Sequence, residues 1–230
     1  MNALELISGG LLDILFPPKC VFCGKLLDGE LDLCRHCRME LEEFPPLPPN
    51  THPDRKSRLQ FLDSFTAVWY YKGRVRDGIL GLKFHYRVDY AAPLGRSLAM
   101  KLLRERENGF DLVTWAPVST LRKFRRGYDQ SQLLAQTIGK ELGIPAERLL
   151  KKRRHTPAQS TLTAEQRRAN VLGAYRFAGK QSIGGKRILL IDDVFTTGAT
   201  AEECARILLT AGAGSVSCAA VAAAPKHTDR

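Results

Sequence analysis

The chain has 230 residues, of which 44% are hydrophobic and 26% charged, with a formal net charge of +11. That length can hold one well-buried α/β domain plus a smaller unit, and the absence of any run of 18 apolar residues excludes a hydrophobic membrane-spanning helix. The positive charge is concentrated: from Arg122 to Arg187 sixteen Lys and Arg face four Asp and Glu, a block that calls for an anionic partner, either a polyphosphate or nucleic acid.

Residues 1–16 are largely apolar but carry Glu5 and Asp13 and lack the basic start of a secretory signal. They are expected to form a short amphipathic packing helix in a cytoplasmic protein. Next come Cys20, Cys23, Cys34 and Cys37, two Cys-x-x-Cys knuckles ten residues apart with Gly24 and Gly29 as turn formers. Such knuckles each present two thiolates to one tetrahedral ion, which predicts a closed, structural zinc ribbon. An iron-sulfur cluster or a pair of disulfides are the alternatives to zinc. Cys204 and Cys218 stand alone and are expected to be small core residues. The segment 44–53 holds five of the twelve prolines and is predicted to be a semi-rigid spacer. These features divide the chain into an amino-terminal helix and ribbon (1–44), a Pro-rich linker (45–60) and a larger domain (61–225).

In the larger domain, the aromatic and β-branched run 64–71 predicts a strand and 75–84 a helix. A second helix is expected over 90–105, a strand over 111–117 and a helix over 129–142. Between the last two lies the basic segment Arg122-Lys-Phe-Arg-Arg-Gly-Tyr-Asp-Gln130. Residues 151–170 are basic and polar without a core face and are predicted to be a long mobile loop. Ser215 to Val221 completes the set as a strand. From residue 111 onward strand and helix alternate, which predicts a mostly parallel sheet with helices on both faces.

The most specific stretch is Ile188-Leu-Leu-Ile-Asp192-Asp193-Val-Phe-Thr196-Thr197-Gly198-Ala199-Thr200. Its continuously apolar start fits a parallel strand covered on both faces, with the two acids at its carboxyl end, where open α/β sheets bind ligands. Two carboxylates there can accept hydrogen bonds from a sugar diol or hold a divalent cation. The threonines offer hydroxyl and backbone donors, Gly198 admits a positive φ, and the following helix, 201–211, directs its positive end at the loop. A sugar phosphate matches these groups. Neither a Walker P-loop nor a dinucleotide fingerprint is present.

This pattern resembles the phosphoribosyl pyrophosphate (PRPP) motif of type I phosphoribosyltransferases. Taken with the ribbon, the Leu-Lys-Phe segment ending at 84, the Arg-Gly-Tyr-Asp-Gln segment and the later Arg-Arg-x-Asn-Val, the order of motifs resembles the ComF/GntX family of competence-associated phosphoribosyltransferase-like proteins. Trp115-Ala116-Pro117 and Asp129 stand where that family commonly has Pro-Val-Pro and Asn. The resemblance implies a type I phosphoribosyltransferase fold behind a four-cysteine zinc ribbon. It implies ribose and Mg2+ contacts for Asp192 and Asp193, and 5-phosphate contacts for Thr196, Thr197, Gly198, Ala199 and Thr200. Arg125 and Arg126 are candidates for the pyrophosphate, and Arg153, Arg154, Arg167 and Arg168 for loop or DNA contacts. No residue stands out as a base for an acceptor. PRPP with Mg2+ is the expected ligand, with single-stranded DNA and competence-machinery proteins as further expected partners.

Overall fold

The computed structural model describes residues 17–27, 32–53, 59–105, 109–153 and 169–224. Their centre is a four-stranded, all-parallel sheet of β1 (Phe65–Tyr70), β2 (Leu112–Trp115), β5 (Arg187–Phe195) and β6 (Ser215–Ala223), in the order β1-β6-β5-β2. Helices α2 (Gly73–Phe84), α3 (Ala91–Arg104), α5 (Gln130–Leu142) and α6 (Ala199–Thr210) connect and cover it.

Both faces of β5 are buried, which is why its first half is apolar without alternation. Leu189 and Ile191 share one core with Leu94, Leu98, Leu134 and Ile138, while Ile188 and Leu190 share another with Cys204 and Leu208. Burying one such aliphatic side chain contributes about 1.5–3 kcal/mol. An exposed ion pair such as Arg87–Asp89 contributes about 0.2–1 kcal/mol, so the apolar layers hold the sheet together. Cys204 and Cys218 are fully buried members of the second core.

The strand carrying the acids runs further than its apolar run indicates. β2 stops pairing at Trp115 opposite Ile191, whereas β5 continues beside β6 to Phe195. Asp192 and Asp193 therefore lie on an overhang beyond the end of β2, at the carboxyl edge of the sheet.

Two predicted loops are partly regular. Thr120–Arg126 forms a short helix, α4, whose end is marked by Gly127 at φ 77. Residues 150–152 (β3) and 175–177 (β4) pair as an antiparallel ribbon, and 169–171 form a helical turn. The predicted loop thus loses both of its ends to structure: Lys151 pairs with Arg176 and Lys152 with Tyr175 at one end, and the helical turn takes 169 and 170 at the other.

The ribbon cysteines do not form a separate bead. Cys20, Val21, Phe22 and Cys37 belong to the same core as Trp69 of β1 and Val75, Ile79 and Leu82 of α2, with the Phe22 and Trp69 rings edge to face at 5.0 Å. Gly78 permits this approach, since a Cβ there would lie 2.8 Å from Phe22 Cδ1 and 2.9 Å from the Val21 carbonyl. The predicted spacer is likewise pinned: Phe44 N–H donates to the Val68 carbonyl and Asn50 N–H to that of Asp63, while Lys101 Nζ donates to the Phe44 carbonyl at 2.9 Å. Prolines keep this segment out of the sheet, but its remaining backbone and aromatic groups still find partners on β1.

Candidate functional site

Cys34 caps helix α1 (Arg35–Glu40), its sulfur accepting from the Cys37 N–H, and Gly24 at φ 71 closes the other knuckle. All four sulfurs lie within 4.8 Å of one another, with Cys23 and Cys34 at 3.6 Å. That separation is far beyond a disulfide bond and close to the roughly 3.8 Å edge of a tetrahedron with Zn–S near 2.3 Å. Burial opposes charge on Cys20, yet N–H groups from Cys34, Phe22 and Cys23 outweigh it and bring the thiol down to about 7. Arg74 Nη1 donates to Cys37 Sγ from α2. The four thiols fit a structural zinc ion with every ligand position filled.

The second site is a cleft of about 540 Å3 beyond the carboxyl end of β5. Asp192, Asp193 and the whole 196–200 loop line it. Gly198 is the residue before α6, at φ 73, and a Cβ there would come within 2.5 Å of the Phe195 ring. The first intrahelical bond of α6 runs from Glu202 N–H to the Gly198 carbonyl. A helix leaves its opening N–H groups without intrahelical acceptors, and here that positive end adjoins the cleft. His52, from the Pro-rich segment, supports the loop from behind with Nε2 3.3 Å from the Thr197 carbonyl.

Asp193 is held by residues that lie within the quoted motifs but to which the sequence assigned no role. Lys83 Nζ, from α2, lies 2.8 Å from Asp193 Oδ1, and Gln130 Nε2, from α5, donates to Asp193 Oδ2 at 2.8 Å. Asp192 Oδ1 accepts from the Asp193 N–H at 2.8 Å and from Ser131 Oγ at 3.5 Å. Burial and the neighbouring Asp193 charge raise Asp192 to about 7, against the opposing pull of Lys83. Burial would lower Lys83, but Asp193 overrides it and keeps the ammonium charged. The only advance signal for Lys83 was its place in the Leu-Lys-Phe segment. Asp129, standing at a departure from the family pattern, caps α5 through Gln132 N–H and also accepts from Val118 N–H; burial still leaves its carboxyl raised.

Arg126 lines the acid cleft, as do Arg76, Lys152 and Tyr175. Arg125 does not: with Lys83, Phe84, Tyr86, Arg126 and Tyr128 it lines an adjoining cleft of about 330 Å3. Of the two, only Arg126 reaches both clefts, because consecutive helical residues point in different directions. Arg126 lies over the Phe84 ring at 4.7 Å, and Phe84, Tyr86 and Phe124 are exposed. Arg153 is exposed beyond the end of β3. Arg154, Arg167 and Arg168 lie outside the described residues.

A parallel sheet whose central strand ends in paired acids and a Thr/Gly loop, behind a four-cysteine ribbon, defines a type I phosphoribosyltransferase-like protein with a zinc ribbon. Family models agree: one for a double zinc ribbon domain matches residues 11–48 and one for a phosphoribosyl transferase domain matches residues 126–230. The chain is 30% identical over 202 residues to DNA utilization protein YhgH of Salmonella typhimurium, covering 86% of each chain. It is 35% identical over 210 residues to Competence protein ComFC of Bacillus subtilis, covering 84% of each. It is also 28% identical over 216 residues to Competence protein F of Haemophilus influenzae, covering 84% of this chain and 92% of that one. The chain belongs to the ComF/GntX family. Among the described residues, no helix is long and apolar enough to cross a membrane.

Proposed function

We propose that the chain binds PRPP or a related ribose phosphate, together with Mg2+, and supports phosphoribosyl transfer in the cytoplasm as part of DNA uptake or utilization. The observation that carries this reading is the convergence of the acid pair, the positive end of α6 and four side-chain cations on one cleft. Asp192 and Asp193 would orient the ribose hydroxyls, and the 196–200 loop would receive the 5-phosphate through backbone and hydroxyl donors. Arg126, Arg76 and Lys152 supply positive charge where a pyrophosphate would sit. The carboxylates provide hard oxygen donors of the kind Mg2+ prefers, and the metal when bound would neutralise charge on the departing pyrophosphate. The reaction class is displacement at the anomeric carbon: the bond to pyrophosphate breaks with its electron pair leaving on oxygen, and an acceptor forms the new bond. The protein contributes fixed charges placed for that step.

Calorimetric titration of PRPP with Mg2+ into the wild type and an Asp192→Asn/Asp193→Asn variant tests the reading. Binding is expected only to the wild type, and equal binding by both proteins would sink the assignment.

A second reading, a single-stranded DNA handling factor, gains support from the adjoining cleft. Phe84 and Tyr86 come from a distant segment to join Arg125 and Arg126, giving rings and cations together, as base stacking and phosphate contact require. The relatives' names, DNA utilization protein and Competence protein, support a link to DNA. Binding to single-stranded oligonucleotides should weaken steeply with salt and with Phe84→Ala/Tyr86→Ala. A salt-independent affinity would count against it.

A further inference from the structure

We infer that Lys83 is a built-in counter-cation of the acid pair, one that keeps a free divalent metal off Asp193 until an anionic ligand draws the ammonium away. The metal then enters only together with the phosphorylated ligand. This rests on the ribose-phosphate reading above and adds a specificity determinant to it.

Without ligand, the acids are compensated from within the protein. Lys83 Nζ occupies Asp193 Oδ1 at 2.8 Å, Gln130 occupies Oδ2 at 2.8 Å, and the Asp193 N–H and Ser131 hold Asp192 Oδ1. The ion pair is shielded, with the Lys83 and Asp193 side chains 19% and 7% exposed. Magnesium binds oxygen at about 2.0–2.1 Å and gives up its water reluctantly. A metal on Asp193 would therefore sit within a few ångströms of the ammonium, at a site where burial strengthens their repulsion. A pyrophosphate relieves this by offering the ammonium an alternative anion.

The alternative position is close at hand. Lys83 lies on the wall shared by both clefts, with Arg126 and Phe84 also common to the two. It is the next-to-last residue of α2, and a lysine ammonium on its flexible four-carbon stem can turn toward a new anion while the helix stays in place. The same side chain would thus exclude metal from the empty site and join Arg126 on the bound anion.

The test uses Mn2+ alone as the probe, measured by electron paramagnetic resonance of free Mn2+, on the zinc-loaded full chain without PRPP. Wild type should bind Mn2+ weakly. Lys83→Met should bind it about tenfold or more tightly, the scale of losing one close like charge, and adding Asp193→Asn should return the affinity to the wild-type level. Lys83→Gln provides the same comparison should the methionine variant misfold, and Lys83→Arg should retain the exclusion. Equal Mn2+ affinity in wild type and the neutral variants, or a gain that survives Asp193→Asn, would overturn the proposal. Failure of wild type to bind PRPP would instead remove the ribose-phosphate reading, while the metal-alone comparison would still decide the role of Lys83.

Discussion

Burial and the adjacent Asp193 charge hold the Asp192 carboxyl well above the usual carboxylate range. Its folded value of about 7 exceeds the ordinary carboxylate value, so the folded chain favours the protonated form. The stability this contributes is complete below about pH 4 and is lost as pH rises through about 7. Asp192→Asn should therefore raise the thermal midpoint at pH 8, on the order of 2–4 °C for each kcal/mol of relieved burial and repulsion, with no gain near pH 3.5. Melting curves of the two proteins at both pH values check this, and a gain of equal size at both would refute it. Two adjacent acids closing an apolar run stand out in a sequence because such groups are costly to bury. Lys83 and Gln130 fall within the Leu-Lys-Phe and Arg-Gly-Tyr-Asp-Gln segments, but nothing in those segments pairs them with the acids until folding brings them to 2.8 Å of Asp193.

Among the elements, the turn into α6 illustrates how backbone conformation serves the site. Gly198 combines φ 73 with a ring 2.5 Å from where a Cβ would stand. Gly198→Ala should destabilise the fold by about 1–3 kcal/mol and weaken ribose-phosphate binding, since relieving the clash must move Phe195 or the loop. Chemical denaturation and ligand titration of the same variant measure both effects, and unchanged values would show that the loop is looser than its geometry implies. The long helices and β5 were legible from their apolar patterns and caps. The β3–β4 ribbon was not, because three-residue strands are too short to display a period. Helix α4 was missed for a related reason: none of the described side chains of Thr120–Arg126 is buried to give it an apolar face, and Phe124 is exposed on it.

For the molecule as a whole, the ribbon and the sheet share one core, so zinc should stabilise far more than its own knuckles. Removing zinc with a chelator should lower the midpoint of a single calorimetric transition, and Phe22→Ala should cost about 3–5 kcal/mol by opening the contact with Trp69. An unchanged main transition after chelation would show that the larger domain stands independently of the ribbon. The cysteine spacing, the apolar run ending in two acids and the alternation of strand and helix were sufficient to predict a zinc ribbon and a parallel sheet with a ligand edge. Each of these is a local pattern, set by residues close together in the chain. The attachment of the ribbon to α2, the pinning of the Pro-rich segment and the pairing of Lys83 with Asp193 were decided only by tertiary structure. They depend on which distant surfaces meet, and no local spacing encodes that meeting.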